Sequence, residues 1–320
     1  MIRFLTQRGF QGIVVLLLVT FVTYALFFAG NPRNVAQRLA GRQATPETVD
    51  RVYENLGLDQ PLPTQYWNFI GRLLHGDLGT DYYYGIPVTT VLKQGAPVTL
   101  SLVVGAALLW LTLGVASGVY SAVHPRSMAD RIVTGVALVF FSIPVFVLGF
   151  GLIYALFYLS SEAGWDWLPA GDYVSLTADP LEWVRHMILP WLTLALVSAA
   201  AYTRLTRSAM LDVLGEDYVR TARAKGVGEM RVIVRHALRS ALTPVLTQFG
   251  VDVGVALGGA ILVESVFGLP GLGREAVVAI TNQDLPVIIG IVIIAAVAVV
   301  LMNIIVDVLY ALIDPRVRLR

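Results

Sequence analysis

The chain alternates long apolar blocks with polar segments, and this alternation sets the expected architecture. Six blocks come close to the roughly 20 residues that a helix needs to cross the hydrocarbon core of a bilayer. A membrane β-barrel would instead show alternating strands of about ten residues, which the sequence lacks. We therefore predict an all-α polytopic membrane protein with spans near 10–29, 98–122, 132–160, 188–204, 244–266 and 287–312.

Prolines coincide with several of the predicted helix boundaries. Pro97, Pro244 and Pro286 each stand at the beginning of an apolar block, where a missing backbone N–H costs a helix nothing. Pro144 lies inside the third block and predicts a kink there. The fourth block is diluted by polar residues and has Pro190 near its beginning.

The segment 30–97 is too long for a simple connection and carries helical patterns of its own. Thr45 followed by Pro46 is typical of a helix N-terminus, and Gly57 is typical of a helix end. A second apolar stripe is formed by Trp67, Phe69, Ile70, Leu73 and Leu74. Two interpretations stay open, a seal over the mouth of the bundle and a docking surface for a soluble partner.

The polar segment 205–243 contains the most informative pattern, a basic and helix-prone stretch from Asp217 onward. Small and apolar residues recur on one side of this stretch, and its arginines lie largely elsewhere. Because a glycine inside a helix costs about 1 kcal/mol, Gly226 favours two short helices joined by a turn. Such a pair suits mechanical contact with a soluble partner; the alternative is a basic helix lying on anionic lipid headgroups.

Composition agrees with burial in lipid, and the charge distribution indicates an orientation. Hydrophobic residues make up 56% of the chain and charged residues 14%, against about a quarter charged in soluble domains. Most of the 23 Lys and Arg residues fall on one side if the N-terminus is cytoplasmic, and the loop 161–187 is acidic. Both termini and 205–243 are therefore predicted to be cytoplasmic, and 30–97 extracytoplasmic.

Motifs for autonomous chemistry are missing from the sequence. The stretch GLPGLGRE at 268–275 lacks the Lys-Ser/Thr pair with which a P-loop holds nucleotide and magnesium. There is also no H-E-x-x-H, no G-x-S-x-G and no cysteine, and the four histidines are scattered. A net charge of +1 argues against a general nucleic-acid role. We expect no enzyme activity, cofactor or metal in this chain.

Acidic residues inside apolar blocks need an explanation, since an Asp at the centre of a span costs about 2.5–3.5 kcal/mol. Asp252 shares the fifth block with Gly250, Gly254 and Gly258, whose spacing lets another helix approach closely. We expect this helix to be packed deep, with Asp252, Gly254 and Gly258 either lining a translocation path or serving packing. Asp307, in the sixth block, is expected to be a structural partner for an Arg or a backbone group.

The run RTARAKG at 220–226, with HALRSALTP at 236–244, resembles the cytoplasmic signature loop of permease subunits in binding-protein-dependent ATP-binding cassette (ABC) importers. That loop reads Glu-Ala-Ala, three residues and Gly; here Arg220 and Thr221 replace the first two, and Ala222 and Gly226 match. The peptide and nickel branch usually shows these departures. Its first permease subunit is also similar in LGLDQP (56–61), GDLG (76–79), ESVFGLPGLG (264–273) and DVLYALIDPRVR (307–318).

The resemblance implies a type I importer permease fold in the prokaryotic inner membrane and a set of partners. These are a second homologous permease, two ATPase subunits or one fused ATPase that bind ATP and magnesium, and an extracytoplasmic substrate-binding protein. Peptides are the implied substrate, with nickel chelates or oligosaccharides as alternatives. Outside the family, an ion-driven carrier using Asp252 and Asp307 and a purely scaffolding membrane protein remain.

The resemblance also assigns candidate residues to two sites. The loop seated in the ATPase would comprise Asp217, Tyr218, Arg220, Thr221, Ala222, Arg223, Ala224, Lys225 and Gly226. The Gly/Pro-rich turn after the fifth block leads into a predicted short, outward-facing helix and is either an ordinary capped loop or an outer gate or docking surface. Its candidate residues are Glu264, Pro270, Gly271, Gly273 and Asp284.

Overall fold

The computed structural model describes residues 2–28, 33, 36–37, 40, 44–55, 57–165 and 167–313. Within these residues the chain is helical, apart from loops and one isolated β-bridge. The first helices are α1 (Ile2–Phe28), α2 (Pro46–Asn55), α3 (Leu62–Leu74), α4 (Val88–Val123), α5 (Met128–Ser142), α6 (Val145–Leu152) and α7 (Leu159–Glu162). They are followed by α8 (Pro180–Leu214), α9 (Asp217–Ala224), α10 (Glu229–Arg231), α11 (Arg239–Phe267), α12 (Leu272–Asn282) and α13 (Leu285–Ile313).

Two π-helical segments make longer continuous helices. The segment Ile153–Tyr158 joins α6 to α7, and Val232–Leu238 joins α10 to α11. Six described helical segments are then long and apolar enough to cross a membrane, and each overlaps a predicted block, so the predicted number of spans is confirmed. These segments are Thr6–Leu26, Val88–Val123, Val145–Glu162, Pro180–Leu214, Glu229–Gly258 and Leu285–Val306.

The positions of two prolines differ from the prediction. Pro97 and Pro244 lie inside α4 and α11, where each removes one intrahelical hydrogen bond. The prediction was wrong because an apolar pattern marks the hydrocarbon layer, whereas these helices begin earlier, at Val88 and Arg239, in less apolar segments. The expected break at Pro144 is confirmed, since extended Ile143 ends α5 and Pro144 caps α6.

Contacts divide the chain into two compact units, of which unit 1 comprises residues 1–97 and 275–300. Its core joins α1, α3 and α13 through Tyr24, Tyr66, Phe69, Ile70, Ile289 and Ile293. The predicted helix beginning at Pro46 is confirmed, and Gly57 after it has a positive φ of 64°. The predicted stripe on α3 is partly wrong, because Trp67 and Leu74 are exposed and Tyr66 is buried.

Unit 2 comprises residues 98–274 and 301–320. Trp110 of α4 is fully buried at its centre, with ring centroids 6.3 Å from Tyr202 of α8 and 5.9 Å from Phe249 of α11. Close packing of α4 on α8 depends on two glycines four residues apart. A Cβ on Gly114 would lie 2.4 Å from Tyr202 Cβ, and one on Gly118 would lie 2.6 Å from the Cβ of Thr206.

Candidate coupling segment and buried acidic sites

One apolar face holds α9 to the rest of unit 2. Val219 and Ala222 of α9 are buried together with Val232, which lies in the π-helical segment leading to α11. Of the predicted coupling residues, Ala222 therefore anchors the helix. The others are exposed, namely Asp217, Tyr218, Arg220, Thr221, Arg223, Ala224, Lys225 and Gly226.

A tight turn follows α9 at the predicted glycine. Gly226 has a φ of 76°, and its N–H donates to the carbonyl of Arg223 (2.9 Å), while the N–H of Val227 donates to that of Ala222 (3.2 Å). These two bonds form a Schellman motif, whose left-handed position favours glycine. The predicted turn is confirmed, but the second helix is not a separate short one, because α10 continues through Val232–Leu238 into α11.

Side chains tie the two arms of this turn together. Arg223 donates to both carboxylate oxygens of Glu229, with Nη2 at 2.6 Å from Oε1. The hydroxyl of Tyr218 lies 3.0 Å from Ser240 Oγ on α11. Arg220 and Asp217 are 3.6 Å apart and largely exposed, so this pair adds little stability. The hairpin thus presents basic side chains outward from an anchored base.

A buried ion pair stabilises α8 near the end that leads into this hairpin. The sequence did not predict this pair. Asp130 is 4% exposed and accepts two bonds from Arg207, at 2.7 Å from Nε and 2.8 Å from Nη2. It also accepts bonds from the Ser121 hydroxyl and the Arg126 N–H. These hydrogen bonds hold the pKa of Asp130 well below its usual range, and the bond from Arg207 has the largest effect. The ends of α4, α5 and α8 are thereby linked.

Local patterns could have indicated only part of this ion pair. Ser127 caps α5 and accepts the Asp130 N–H at 3.1 Å, and a Ser followed three residues later by an acid is a sequence signal for a helix N-terminus. The partner Arg207 is 77 residues away along the chain. Its pairing depends on the packing of α5 against α8, which one sequence does not reveal.

Asp252 lies half-buried on α11 and accepts a hydrogen bond from Gln248 Nε2 at 2.9 Å. The expected close approach along its glycines is uneven. A Cβ on Gly250 would lie 2.9 Å from Val306, whereas one on Gly258 would meet no described atom within 4 Å. Gly254 is half-buried. The side chain of Asp307 lies outside the described residues.

Glu264, near the end of α11, is fully buried and organises the Gly/Pro-rich turn. Its Oε1 accepts the Thr99 hydroxyl of α4 at 2.6 Å, and its Oε2 accepts the Arg274 N–H of α12 at 3.0 Å. Thr99 in turn accepts the Leu272 N–H at 2.8 Å. One carboxylate therefore connects α4, α11 and the beginning of α12.

Two of the predicted glycines are needed where the turn passes this carboxylate. A Cβ on Gly271 would lie 2.3 Å from the carboxyl carbon of Glu264, and one on Gly273 would lie 2.6 Å from Ile261 Cα. Pro270 is exposed. Glu264, Gly271 and Gly273 thus form one cluster, and the predicted short helix begins within it, at Leu272.

Asp284 belongs to unit 1, and its contacts differ from those of Glu264. It caps α13 by accepting the Val287 N–H at 3.3 Å, and it accepts the Tyr82 N–H at 2.8 Å. Burial raises the pKa of Asp284 to about 6 against the lowering effect of these bonds, and the nearby Asp81 adds to the rise. This carboxyl group therefore titrates far closer to neutrality than an ordinary Asp.

Comparison with known proteins places this architecture in a family. Residues 114–319 match the model of the binding-protein-dependent transport system inner membrane component, and residues 1–103 match that of its N-terminal part. In structure, the chain is similar to the MetNI methionine ABC transporter in an inward-facing conformation. The TM-score is 0.55 and the identity 18%, over 71% of this chain and 97% of the other.

Relatives of similar length cover nearly the whole chain. A glutathione transport system permease protein of Pectobacterium atrosepticum is 42% identical over 96% of both chains. A putative peptide transport system permease protein of Brucella abortus is 40% identical, and the dipeptide transport system permease protein DppB of Escherichia coli 37%, each over 99% of both chains. These relatives are transport permeases rather than enzymes, and the family description with six apolar helices indicates a multi-pass inner-membrane protein. The chain belongs to the family of binding-protein-dependent transport system inner membrane components.

Proposed function

We propose that this chain is one of two homologous permease subunits of an ATP-driven importer of peptides. The relatives named for peptide, dipeptide and glutathione transport support this substrate class. Two ATPase subunits, or one fused ATPase, bind ATP and magnesium, and an extracytoplasmic binding protein delivers the peptide. Both termini and α9 lie on the cytoplasmic side, and membrane lipid surrounds the spans.

The observation that carries this proposal is the construction of the α9 hairpin. Its apolar side is anchored by Val219, Ala222 and Val232, while its basic side is exposed. A helix held in this way transmits a push from a soluble partner directly into α8 and α11, which flank it in the chain. ATP-driven closure of the ATPases moves α9 and thereby switches the path between inward-open and outward-open conformations.

The remaining candidate residues serve the path and its outer end. Asp252, Gly254 and Gly258 lie on α11, which continues directly from the hairpin. Glu264, Pro270, Gly271, Gly273 and Asp284 belong to the outer gate or to the surface that receives the binding protein. Since α11 connects the hairpin with Glu264, one continuous helix spans from the ATPase side to the outer turn.

Reconstitution of the complete importer tests the proposal. Proteoliposomes would hold this chain with its partner permease and ATPases and enclose ATP, with binding protein and a labelled peptide library outside. We expect uptake of peptides that stops when the catalytic glutamate of the ATPase is replaced. Uptake of nickel chelates or oligosaccharides instead of peptides would reject the substrate class. Gradient-driven uptake by this chain alone would establish an ion-coupled carrier and reject the ATP-driven mechanism.

A further inference from the structure

A cavity of about 550 Å³ opens between α5 and α8 in unit 2. Its polar lining comes from Thr134 on α5 and from Arg204, Arg207 and Ser208 on α8, and its apolar lining from Phe141, Ala201 and Leu205. Arginines that project from the membrane-spanning helix α8 into such a cavity are costly unless a carboxylate, water or another anion accompanies them. Any positive charge that no carboxylate of the protein neutralises therefore indicates what kind of molecule the cavity binds.

The two arginines differ in how their charge is compensated. Arg207 is neutralised by the buried carboxylate of Asp130 through two hydrogen bonds. Arg204 is exposed and forms no salt bridge with an acid among the described residues; its Cζ lies 5.9 Å from the centroid of the Phe141 ring. A cation over an aromatic ring keeps its full charge. The cavity thus carries one unbalanced positive charge.

The position of Arg204 argues against contact with lipid. Pairing of Asp130 with Arg207 and of Phe141 with Arg204 shows that α5 and α8 run in opposite directions. Phe141 is eleven residues beyond Asp130 (130 to 141), or about 16 Å further along the helix at 1.5 Å per residue. A lipid-facing arginine would extend toward the headgroups, whereas this one extends toward Phe141, away from the ion pair. Such a direction indicates a hydrated cavity.

We propose that Arg204, with the Ser208 hydroxyl one turn further along α8, forms a subsite for the terminal carboxylate of a peptide in the translocation path. This inference rests on the proposed function. A planar guanidinium binds a carboxylate through two parallel hydrogen bonds, and the hydroxyl supplies a third donor. Every linear peptide carries this carboxylate whatever its side chains, so the subsite accepts peptides of different sequence. It holds the substrate on the cytoplasmic side of the path before release.

Because the chain contains no cysteine, a single thiol introduced by Ser208→Cys reports on the cavity in the assembled importer. Its reaction with negatively and positively charged methanethiosulfonate reagents of similar size is followed by mass spectrometry of this subunit. One charge about 6 Å away at an intermediate dielectric constant of about 40 changes each rate about tenfold, in opposite directions for the two reagents. We therefore expect the negative reagent to be favoured by about a hundredfold. Taking the ratio of the two rates removes the influence of Arg204 on the reactivity of the thiol itself.

Adding Arg204→Gln to Ser208→Cys should abolish the preference for the negative reagent. Adding Arg185→Gln, which removes an exposed arginine 23 residues before the thiol on α8 (185 to 208), should leave it unchanged. A thiol that reacts with neither charged reagent would show a cavity filled by lipid and would overturn the inference. Equal rates with Arg204 present would overturn it as well.

A transport assay distinguishes failure of the subsite from failure of the proposed function on which the subsite rests. The importer should take up a peptide faster than its C-terminal amide at equal occupancy of the binding protein. Arg204→Gln should remove that preference, and Arg204→Lys, which keeps the charge but loses the paired hydrogen bonds, should retain only part of it. If the unaltered importer transports peptides but Arg204→Gln keeps the same preference, the subsite is wrong and the proposed function stands. If the unaltered importer transports no peptide, the proposed function fails and the subsite with it.

Discussion

At the scale of single residues, the buried carboxylate of Glu264 is the most heavily used side chain of the outer turn. It accepts bonds from Thr99 and Arg274, which belong to two other helices. A charged acceptor in such a position both satisfies donors and fixes the path of the backbone around it. Its loss leaves the hydroxyl and the N–H without a partner in a closed site.

Glu264→Ala should therefore lower the free energy of unfolding by about 3 kcal/mol, the effect of leaving buried donors of a charged acceptor unsatisfied. Thermal unfolding of the purified chain in detergent measures this loss. The matched control is Ser265→Ala, because Ser265 is exposed and its hydroxyl bonds, within the described part of the chain, only to the carbonyl of Ile261. We expect the control to change stability by less than about 0.5 kcal/mol. Similar losses in both variants would contradict the anchoring role.

Asp284 gives a prediction that depends on pH. Because its folded pKa of about 6 lies above the ordinary value of 3.8, the folded state binds the proton more tightly than the unfolded state. Its contribution to stability is thus fully present below pH 3.8 and is lost as the pH rises through about 6.

Comparison with Asp284→Asn isolates this contribution, since the amide does not titrate. The difference in unfolding temperature between the unaltered chain and the variant should become less favourable to the unaltered chain as the pH rises across this window. Thermal unfolding at several pH values, in buffers of equal ionic strength, measures the difference. A difference that does not vary with pH would show that the carboxyl group titrates normally.

Sequence patterns predicted the local structure around Glu264 better than they predicted the distant residues that it contacts. An acid and several glycines around 264–273 indicated a tight turn after the fifth span, and the turn is present. The hydroxyl that Glu264 binds is 165 residues away in the chain, and the guanidinium that Asp130 binds is 77 residues away. Local periodicity cannot reveal such pairs, because they arise only when distant helices pack.

At the scale of helices, the contact of α4 with α8 depends on missing side chains. Gly118→Ala should destabilise the chain by about 1–3 kcal/mol, the usual effect of overpacking. The added methyl would lie 2.6 Å from Thr206 Cβ and 2.7 Å from the carbonyl oxygen of Thr203. Gly135→Ala on α5 is the control, because its Cβ meets no described atom within 4 Å. This control should gain about 0.5–1 kcal/mol from helix propensity.

Thermal unfolding of the isolated chain in detergent compares the two variants. Loss of stability in both would indicate that any alanine in these helices is harmful, and would contradict the specific contact. The spacing of Gly250, Gly254 and Gly258 was recognised in the sequence, whereas the same spacing of Gly114 and Gly118 was not singled out. Spacing alone predicts that a helix can be approached closely, but not which neighbour approaches it.

At the scale of the whole molecule, the predicted number of six spans is confirmed, because each span needs only a local run of apolar residues. The connection from the hairpin into α11 was less predictable. Residues Val232–Leu238 adopt a π-helix that makes α10 and α11 continuous, whereas the sequence suggested a separate short helix. The turn at Gly226 was predictable, since glycine favours the left-handed conformation that ends a helix.

Gly226→Val tests whether this turn matters for transport. A β-branched residue at a φ of 76° is strained by about 1–2 kcal/mol, although no described atom lies within 4 Å of the added Cβ. We expect normal membrane insertion but reduced ATP-driven uptake, measured in proteoliposomes that contain all partners. Gly228→Val is the matched control, because Gly228 has a φ of −58° and equally open surroundings. Normal transport by Gly226→Val would reject the coupling role of the turn.

In α9, the buried residues that anchor the helix are different from the exposed residues that face outward. This separation affects how related permeases can diverge in sequence. Orientation of the helix depends on the buried side chains of Val219, Ala222 and Val232. Of the outward residues, Tyr218 and Arg223 bond to the second arm of the hairpin, whereas Arg220 and Lys225 contribute little to its stability. The outward residues can therefore be exchanged together between related permeases without changing the packing of the buried face. Chimeras that transplant only these surface positions offer a direct route to re-pairing permeases with foreign ATPases.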